Sequence, residues 1–331
     1  MDYKKYAIVD LHLHLDGSLS AKAILKVAKK EGIKLPTYKE EEEELNRFLM
    51  VPENCQSLNE YLERFSLPNL VLQTKEGLEI CTLDLLERLA ADGLKYVEIR
   101  MAPQLSINKG LSQEQVVDTL IQTCKKAEKY GIFSNLILCM MRGNDTKEKN
   151  FETINVAKKF LCKGVVAMDL AGAEGLFPNE MFKDEFNLIN SLNIPLTIHA
   201  GEASGASSVK SALEFGAIRI GHGIHSVEDP SVLEKLKKKN ICLEVCPKSN
   251  LDTKTISKYD DLPLKEFIKN GIKVSINTDD MTVSNTTLKQ EYETLVKMGF
   301  KEKDLRQFAE NSINASFADS KTKEYLLDFI K

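Results

Sequence analysis

Residues 8–18 read Ile-Val-Asp-Leu-His-Leu-His-Leu-Asp-Gly-Ser, and apolar and polar side chains alternate strictly from Val9 to Asp16. This two-residue period is typical of a β-strand that buries one face. The apolar face carries Val9, Leu11, Leu13 and Leu15. The polar face carries Asp10, His12, His14 and Asp16. Because His12 and His14 project from the same face, their imidazoles can reach a single metal ion.

Seven further apolar runs have the length and composition of strands, and segments with helical spacing lie between them. The predicted strands span 96–101, 133–139, 165–170, 195–199, 217–222, 241–246 and 273–278. Strands that alternate with helices indicate parallel pairing through crossover connections. Eight such strands in about 300 residues favour an α/β fold of the (β/α)8 barrel type. An open doubly wound sheet is the alternative, although no Gly-x-Gly-x-x-Gly motif follows a strand to support its nucleotide-binding form.

The spacing of strands and helices is interrupted once, by an insertion at about 18–93 with helical patterns at 21–31, 41–48 and 58–65. In a barrel, an insertion after a strand lies over the active face, so we expect this one to form part of a lid. Its last helix carries Leu58, Tyr61, Leu62 and Phe65 at i, i+3, i+4, i+7 spacing. These residues fit either packing on the barrel or an apolar wall over a planar substrate. We expect residues 1–331 to form one domain, closed by extra C-terminal helices.

Composition excludes several classes of protein. The net charge is -4, which gives no basic surface for a nucleic acid. No apolar run approaches the roughly 20 residues of a membrane span, and no signal peptide is visible. The seven cysteines form no Cys-x-x-Cys pair. Reduced, buried thiols in a cytoplasmic protein are therefore expected.

The histidines fall at comparable places in the predicted barrel. The chain has five: His12, His14, His199, His222 and His225. The first four lie at the C-terminal ends of predicted strands 1, 5 and 6, and the fifth follows in a loop. Three acids lie at the same level: Glu202 beyond strand 5, and Asp279 and Asp280 at the end of strand 8. These ends converge on the face where barrel enzymes build their active sites.

Three histidines and an aspartate with an open position suit zinc as a catalytic metal, although another divalent ion could use similar ligands. Such a zinc lowers the pKa of bound water to about 7. A further histidine and a glutamate beside it would supply a base and an acid. In strand 6, Ile218 and Ile220 share parity with His222, so we expect a bulge near Gly221 or Gly223 to re-aim the imidazole.

Six motifs together resemble those of the adenosine deaminases, zinc-dependent members of the amidohydrolase superfamily. They occur in order over nearly the whole chain: HLHLDGS at 12–18, MDLAG at 168–172, IHAGE at 198–202, IGHG at 220–223 with His225, CPKSN at 246–250 and NTDD at 277–280. The resemblance implies one zinc ion per chain and hydrolytic deamination of adenosine, and of 2'-deoxyadenosine, in purine salvage. The substrate would be a small purine nucleoside rather than a nucleic acid or a membrane.

The resemblance also implies a role for each matching residue. It assigns the metal to His12, His14, His199 and Asp279. Glu202 would donate a proton to purine N1, and His222 would take a proton from the attacking water and orient it. Asp280 would hydrogen-bond N7, and the backbone N–H of Gly172 would face N3. Asp16 would hold the ribose 5'-hydroxyl, His14 would also contact the substrate, and Leu58, Leu62 and Phe65 would form the apolar lid.

Two positions depart from the family pattern: Ala173 replaces a common acid, and Met281 replaces a common proline. Binuclear amidohydrolases usually end strand 4 with a metal-bridging lysine, which is missing here, so one metal is favoured. Adenine deaminases and deaminases of N6-substituted AMP are the alternative enzymes. Asp16 argues against both, because it suits a free 5'-hydroxyl and repels a 5'-phosphate. A zinc-stabilised adenosine-binding protein is a third alternative, disfavoured because it needs neither Glu202 nor His222.

Overall fold

A computed structural model of the chain describes residues 2–35 and 41–331 and contains eight parallel strands. They form two four-stranded sheets in the orders β1-β2-β3-β4 and β5-β6-β7-β8. The strands are β1 Val9–His14, β2 Tyr96–Met101, β3 Phe133–Met141, β4 Val165–Ala171, β5 Thr197–Ala200, β6 Arg219–His222, β7 Cys242–Val245 and β8 Lys273–Ile276.

Backbone hydrogen bonds at two seams close these sheets into one barrel. At the first seam, the N–H of Met168 in β4 donates to the carbonyl of Pro195, 2.9 Å away. At the second, the N–H of His14 donates to the Asp279 carbonyl, and the N–H of Asp279 donates to the His12 carbonyl, each at 2.8 Å. The predicted (β/α)8 barrel is confirmed, and the doubly wound alternative is wrong.

Fifteen α-helices surround the barrel or cover its ends within the described ranges. They are α1 Ala21–Glu31, α2 Glu42–Leu49, α3 Leu58–Leu62, α4 Ser66–Val71, α5 Lys75–Ala91, α6 Gln113–Ala127, α7 Lys147–Phe160, α8 Lys183–Ser191, α9 Ala206–Glu214, α10 Pro230–Lys238, α11 Pro247–Asp252, α12 Leu264–Asn270, α13 Leu288–Lys297, α14 Glu302–Ala315 and α15 Ser320–Asp328. Helices α4 and α11 have six residues each, which are too few to show a helical period in the sequence. No helix in these ranges combines the length and apolar character needed to cross a bilayer.

The insertion between β1 and β2 contains the first five helices, and its residues 36–40 lie outside the described residues. The backbone N–H of Val51 donates to the carbonyl of Val283 at 2.8 Å, which joins the insertion to the loop that follows β8. Tyr61, Cys55 and Val283 form a small buried cluster at this junction. The insertion is therefore packed on the carboxyl ends of the strands.

Two local expectations are wrong. Strand β1 ends at His14, and Asp16 belongs to a short 3-10 turn, Asp16–Ser18, rather than to the strand. The pairing of β6 with β5 and β7 contains no bulge. His222 is instead re-aimed by its own left-handed backbone, with φ 60°, and Gly223 continues the turn with φ 69°.

Candidate active site

The predicted metal ligands meet at the carboxyl ends of β1 and β5 and in the loop after β8. The Nε2 atoms of His12 and His199 lie 3.0 Å apart, and His14 Nε2 lies 3.2 Å from His199 Nε2. Asp279 Oδ1 lies 3.2 Å from His12 Nε2 and 3.4 Å from His14 Nε2. Ligands in a tetrahedron about 2.0–2.1 Å from a zinc ion lie about 3.3 Å from one another. The four donors therefore have the spacing of one tetrahedral metal site.

Hydrogen bonding behind the ligands explains why a cation fits between them. His12 Nδ1 lies 3.0 Å from Glu244 Oε2, and His199 Nδ1 lies 2.8 Å from Asp169 Oδ2. An ionised carboxylate can only accept, so each ring carries its proton on Nδ1 and presents a bare Nε2. Two bare nitrogens 3.0 Å apart repel each other, and a metal ion between them removes that repulsion. The donor set thus fits a metal.

Burial keeps two of these imidazoles in the neutral form that metals bind, because it lowers the pKa of His14 well below its usual value and also lowers that of His199. For His12, burial and the Arg100 charge would lower the pKa, but the Asp279 and Glu244 carboxylates raise it above the usual value. For Asp279, burial alone would raise the pKa, but the surrounding His12, His222 and His14 rings hold it well below the ordinary range. The site therefore offers neutral imidazoles from His14 and His199 and an ionised carboxylate.

Arg100 joins the two supporting carboxylates below the ligands. Its guanidinium donates to Asp169 Oδ2 at 2.7 Å and to Glu244 Oε2, and all three side chains are fully buried. Arg219 donates to the other oxygen of Glu244 at 2.5 Å. These charges are paired inside the barrel, as buried ions must be. The rings that face the metal are therefore held from behind by one connected ionic network.

Residues of the CPKSN motif orient two site residues that have strained backbones. Asp279 has φ 62° and His222 has φ 60°, a left-handed region that is uncommon for residues other than glycine, although aspartate, asparagine and histidine enter it more often than the rest. The Ser249 hydroxyl donates to Asp279 Oδ2 at 2.6 Å, and the Asn250 amide lies 3.1 Å from His222 Nδ1. Both contacts come from the start of α11. They fix the directions of a carboxylate and an imidazole whose backbones alone would not hold them.

His222 lies beside the donor set rather than within its tightest grouping. Ligand atoms of His12, His199, His222 and Asp279 lie within 4.8 Å of one another, so His222 could replace His14 as a ligand. However, His222 Nε2 lies 3.6 Å from Glu202 Oε2 and 3.9 Å from Asp279 Oδ2, farther than the His14 contacts. Burial lowers the pKa of His222 well below the usual value, so the ring is neutral at pH 7 and can accept a proton. The geometry favours His14 as the ligand.

Glu202 is positioned and tuned as a buried acid. Burial first, and then the charges of Asp279 and Glu174, raise its pKa well above the usual value. The Glu174 carboxylate accepts the backbone N–H groups of Gly201, Glu202, Ala203 and Ser204 at 2.7 to 3.1 Å. It thereby holds the loop that carries Glu202. A protonated carboxylic acid in a closed cavity is the form that can donate a proton.

The remaining predicted polar residues line one cavity of about 300 Å³ together with His14, His199 and Asp279 of the donor set. Asp16 and Asp280 face it from the two sides of the β1–β8 seam, and Gly172 faces it from the end of β4 with φ 108°. Burial raises the pKa of Asp16 to about 6. Burial and the neighbouring Asp279 charge raise the pKa of Asp280 well above its ordinary range. The cavity has the size and polarity of a small-molecule site.

Apolar side chains form the opposite wall of the cavity. Three of them come from the insertion and are the predicted lid residues Leu58, Leu62 and Phe65. Others follow β2 and end β3 and β4: Ala102, Leu105, Met141 and Ala171. A planar, partly apolar molecule held between this wall and the polar face would be almost fully enclosed. His225 does not line the cavity; its ring pairs with Glu228 at 2.7 Å.

Several residues that support the site were missed. Asp169 lies inside the quoted motif at 168–172 without a role assigned to it, Glu174 follows that motif, and Glu244 lies in an apolar strand, where a buried acid was the available signal. Arg100 gave the same signal in β2. Tyr61 was grouped with the apolar lid, although its hydroxyl contacts Asp280 and Ser284. Each of these contacts joins segments far apart in sequence, so periodicity could not reveal the partner.

Comparison with known proteins agrees with this geometry. A family model described as adenosine deaminase matches residues 8–331. The chain is 45% identical over 333 residues to the adenosine deaminase of Haemophilus ducreyi, covering 99% of this chain and 96% of that protein. It is also 45% identical over 335 residues to the adenosine deaminase of Clostridium botulinum (strain Loch Maree), covering 100% and 99%. The crystal structure of an adenine deaminase from Arthrobacter aurescens matches with a TM-score of 0.88 and 30% identity, covering 98% and 97%.

A closed parallel barrel with histidines, an aspartate and a buried acid at one end defines a metal-dependent hydrolase of the amidohydrolase class. The full-length matches then narrow the class. The chain belongs to the adenosine deaminase family, which confirms the resemblance drawn from the motifs.

Proposed function

We propose that the protein catalyses the hydrolytic deamination of adenosine, and of 2'-deoxyadenosine, to inosine or 2'-deoxyinosine and ammonia. The observation that carries this proposal is the meeting of Glu202 and His222, 3.6 Å apart, beside the four predicted metal ligands at one cavity. An acid, a base and a metal in contact are the parts that addition of water to an aromatic C–N bond requires. Adenosine deaminases at 45% identity over the whole chain support adenosine as the substrate.

The ligands His12, His14, His199 and Asp279 would hold one zinc ion, which supplies a Lewis acid that lets water act as a nucleophile at neutral pH. His222 would accept a proton from the attacking water and orient it toward C6. Glu202, protonated through burial, would donate to N1 as C6 becomes tetrahedral. The proton on His222 would then pass to the 6-amino group and the C6 hydroxyl proton would return to Glu202, so that the C6–N bond breaks, ammonia leaves and C6 becomes the carbonyl of inosine.

The other cavity residues would orient the nucleoside. Asp280 would hydrogen-bond N7, the Gly172 N–H would face N3, and Asp16 would accept the ribose 5'-hydroxyl. Leu58, Leu62 and Phe65 would cover the purine plane, which makes the insertion at about 18–93 a helical lid on a single barrel domain. We further propose that the enzyme acts in purine salvage in the cytoplasm.

Adenine deamination is the alternative that a specific finding favours, because a solved adenine deaminase shares the fold at 30% identity. Deaminases of N6-substituted AMP are a further alternative. A carboxylate at position 16 argues against both, since adenine offers it no hydroxyl and AMP brings a second negative charge.

The deciding experiment is the rate of ammonia release from adenosine, adenine and AMP by the purified protein. We expect kcat/KM for adenosine to exceed the other two by at least about 100-fold, because a missing hydroxyl leaves a buried acceptor unpaired. Comparable values for adenine or AMP would replace the nucleoside assignment. Elemental analysis of protein purified without added metal should give one zinc per chain, and two would reject a mononuclear site.

A further inference from the structure

Tyr61 departs from the apolar character of the wall to which it was assigned. Its side chain belongs to α3 and is only 1% exposed. The ring packs near Phe65, with centroids 6.3 Å apart, so the aromatic part serves the lid. The hydroxyl, however, lies 3.1 Å from Asp280 Oδ2 and 2.8 Å from Ser284 Oγ.

A phenol has one proton to donate, which sets the direction of this small network. When Tyr61 donates to Asp280 Oδ2, its own oxygen is free to accept from the Ser284 hydroxyl. The backbone supports this arrangement, because the Ser284 N–H donates to the Asp280 carbonyl at 2.9 Å. The turn after β8 therefore presents Asp280 and Ser284 to the same tyrosine.

The second carboxyl oxygen of Asp280 is left for another partner. Asp280 Oδ1 is buried and has no hydrogen-bond partner among residues 2–35 and 41–331. It lies against Gly17, where a Cβ atom would come within 1.7 Å of it, so only glycine leaves room for the carboxyl group. Buried polar atoms normally have partners, and this one belongs to a residue that lines the cavity. Tyr61 thus occupies one oxygen and leaves the other for a ligand.

We propose that Tyr61 is a positioning residue for the deaminase reaction: its hydroxyl fixes the Asp280 carboxyl group so that the Oδ1–H of the carboxylic acid donates to purine N7. The inference rests on the proposed function for the identity of the ligand. The position of α3 then affects recognition of N7, because the Tyr61 side chain belongs to the lid and also contacts Asp280. Recognition of the purine and closure over it are thereby linked.

The test compares two ligands that differ at a single ring position, inosine and 7-deazainosine, by their dissociation constants in isothermal titration calorimetry. Wild-type protein should bind inosine more tightly, because only inosine has N7. In Tyr61→Phe, which keeps the ring but removes the hydroxyl, the ratio of the 7-deazainosine constant to the inosine constant should fall about five-fold, the equivalent of one net hydrogen bond. A tyrosine that merely supported the lid would weaken both ligands equally and leave the ratio unchanged.

Tyr292→Phe is the matched control, because the Tyr292 hydroxyl is buried without a partner and its removal should leave the ratio at the wild-type value. Ser284→Ala is the second variant. It removes the hydroxyl that hydrogen-bonds the Tyr61 oxygen, so the Tyr61 hydroxyl is held less firmly and the ratio should fall about two-fold. A wild-type ratio near one, or an unchanged ratio in Tyr61→Phe, overturns the inference. If Tyr61→Phe does not fold, an unchanged ratio in Ser284→Ala overturns it. Failure to deaminate adenosine would instead reject the proposed function, since the affinity ratio can be measured without turnover.

Discussion

Replacing Glu174 by glutamine should lower kcat about 100-fold while changing KM for adenosine only slightly. The Glu174 side chain is 1% exposed and does not line the cavity. Its carboxylate accepts four consecutive backbone N–H groups, from Gly201 to Ser204, and the Ser208 hydroxyl at 2.5 Å. These bonds hold the loop in which Glu202 lies. A displacement of about 1 Å in a reacting group can cost about 100-fold in rate.

The effect on stability follows from counting the bonds that an amide can keep. With its oxygen in place of Oε2, glutamine still accepts from Glu202, Ala203 and Ser204, and its NH2 group can donate to Ser208. The same NH2 group then faces the Gly201 N–H, which approaches Oε1 to 2.7 Å in the wild type. The Gly201 N–H would then be a buried donor without a partner, which costs about 1–3 kcal/mol. Each of the three bonds that remain would be weaker by about 1 kcal/mol, because the acceptor is no longer charged. We expect the free energy of unfolding to fall by about 5 kcal/mol.

The assay combines urea denaturation with steady-state kinetics on adenosine. Glu228→Gln is the control, because Glu228 Oε2 accepts the Ala206 N–H at 3.3 Å at the far end of the same loop, and its side chain is 51% exposed. The Glu228→Gln variant should keep the wild-type kcat, and its free energy of unfolding should fall by less than about 1 kcal/mol. In the Glu202→Gln background, Glu174→Gln should add little to the kinetic loss, because both act through one group. A Glu174→Gln enzyme with kcat within about three-fold of wild type would refute the reasoning.

Three further predictions follow from the site and the core. Glu202→Gln should retain the fold and the bound metal but lose activity by roughly 10²–10⁴-fold or more, measured by kinetics and elemental analysis, since an amide cannot deliver the proton. Asp16→Ala should narrow the gap in kcat/KM between adenosine and 5'-deoxyadenosine, chiefly by weakening adenosine; an unchanged gap would remove Asp16 from ribose recognition. Burial raises the pKa of Glu291 from 4.5 to about 8, so the folded state keeps a proton that the unfolded state releases. Its stabilising effect is full below about pH 4.5 and declines toward pH 8 by up to 1.4 kcal/mol per pH unit, and denaturation of Glu291→Gln should lack this decline.

Strand periodicity predicted the barrel and the position of its site at the carboxyl ends of the strands. The alternation around His12 and His14 that supports this prediction is a local property of the chain. The same alternation placed Asp16 on β1. In the structure the chain already turns at Asp16, and the next residue, Gly17, lies against the Asp280 carboxyl group. It also pointed the His222 side chain away from the site. A left-handed backbone corrects that direction, and such strain is maintained only by surrounding structure that a local pattern does not encode.

Contacts between distant segments could not be predicted from periodicity. Glu174 recognises the backbone of residues 201–204, and backbone N–H groups have no sequence signature. Arg100 could be identified as a buried charge in β2, but its partners Asp169 and Glu244 lie on β4 and β7. The family resemblance supplied roles for residues that face the substrate, and it did not reach the residues that hold them in place.

The seam between β1 and β8 has a consequence for how the molecule is made. Its backbone bonds join His12 and His14 to Asp279, and the same residues are the proposed metal ligands. During synthesis, two donors emerge near the start of the chain and must wait for Asp279 before the fourth exists. An ion acquired by the nascent chain would therefore have an incomplete set of donors, and full affinity can develop only when the last strand docks on the first. With these residues as the metal ligands, completion of the metal site would depend on the same docking that closes the barrel.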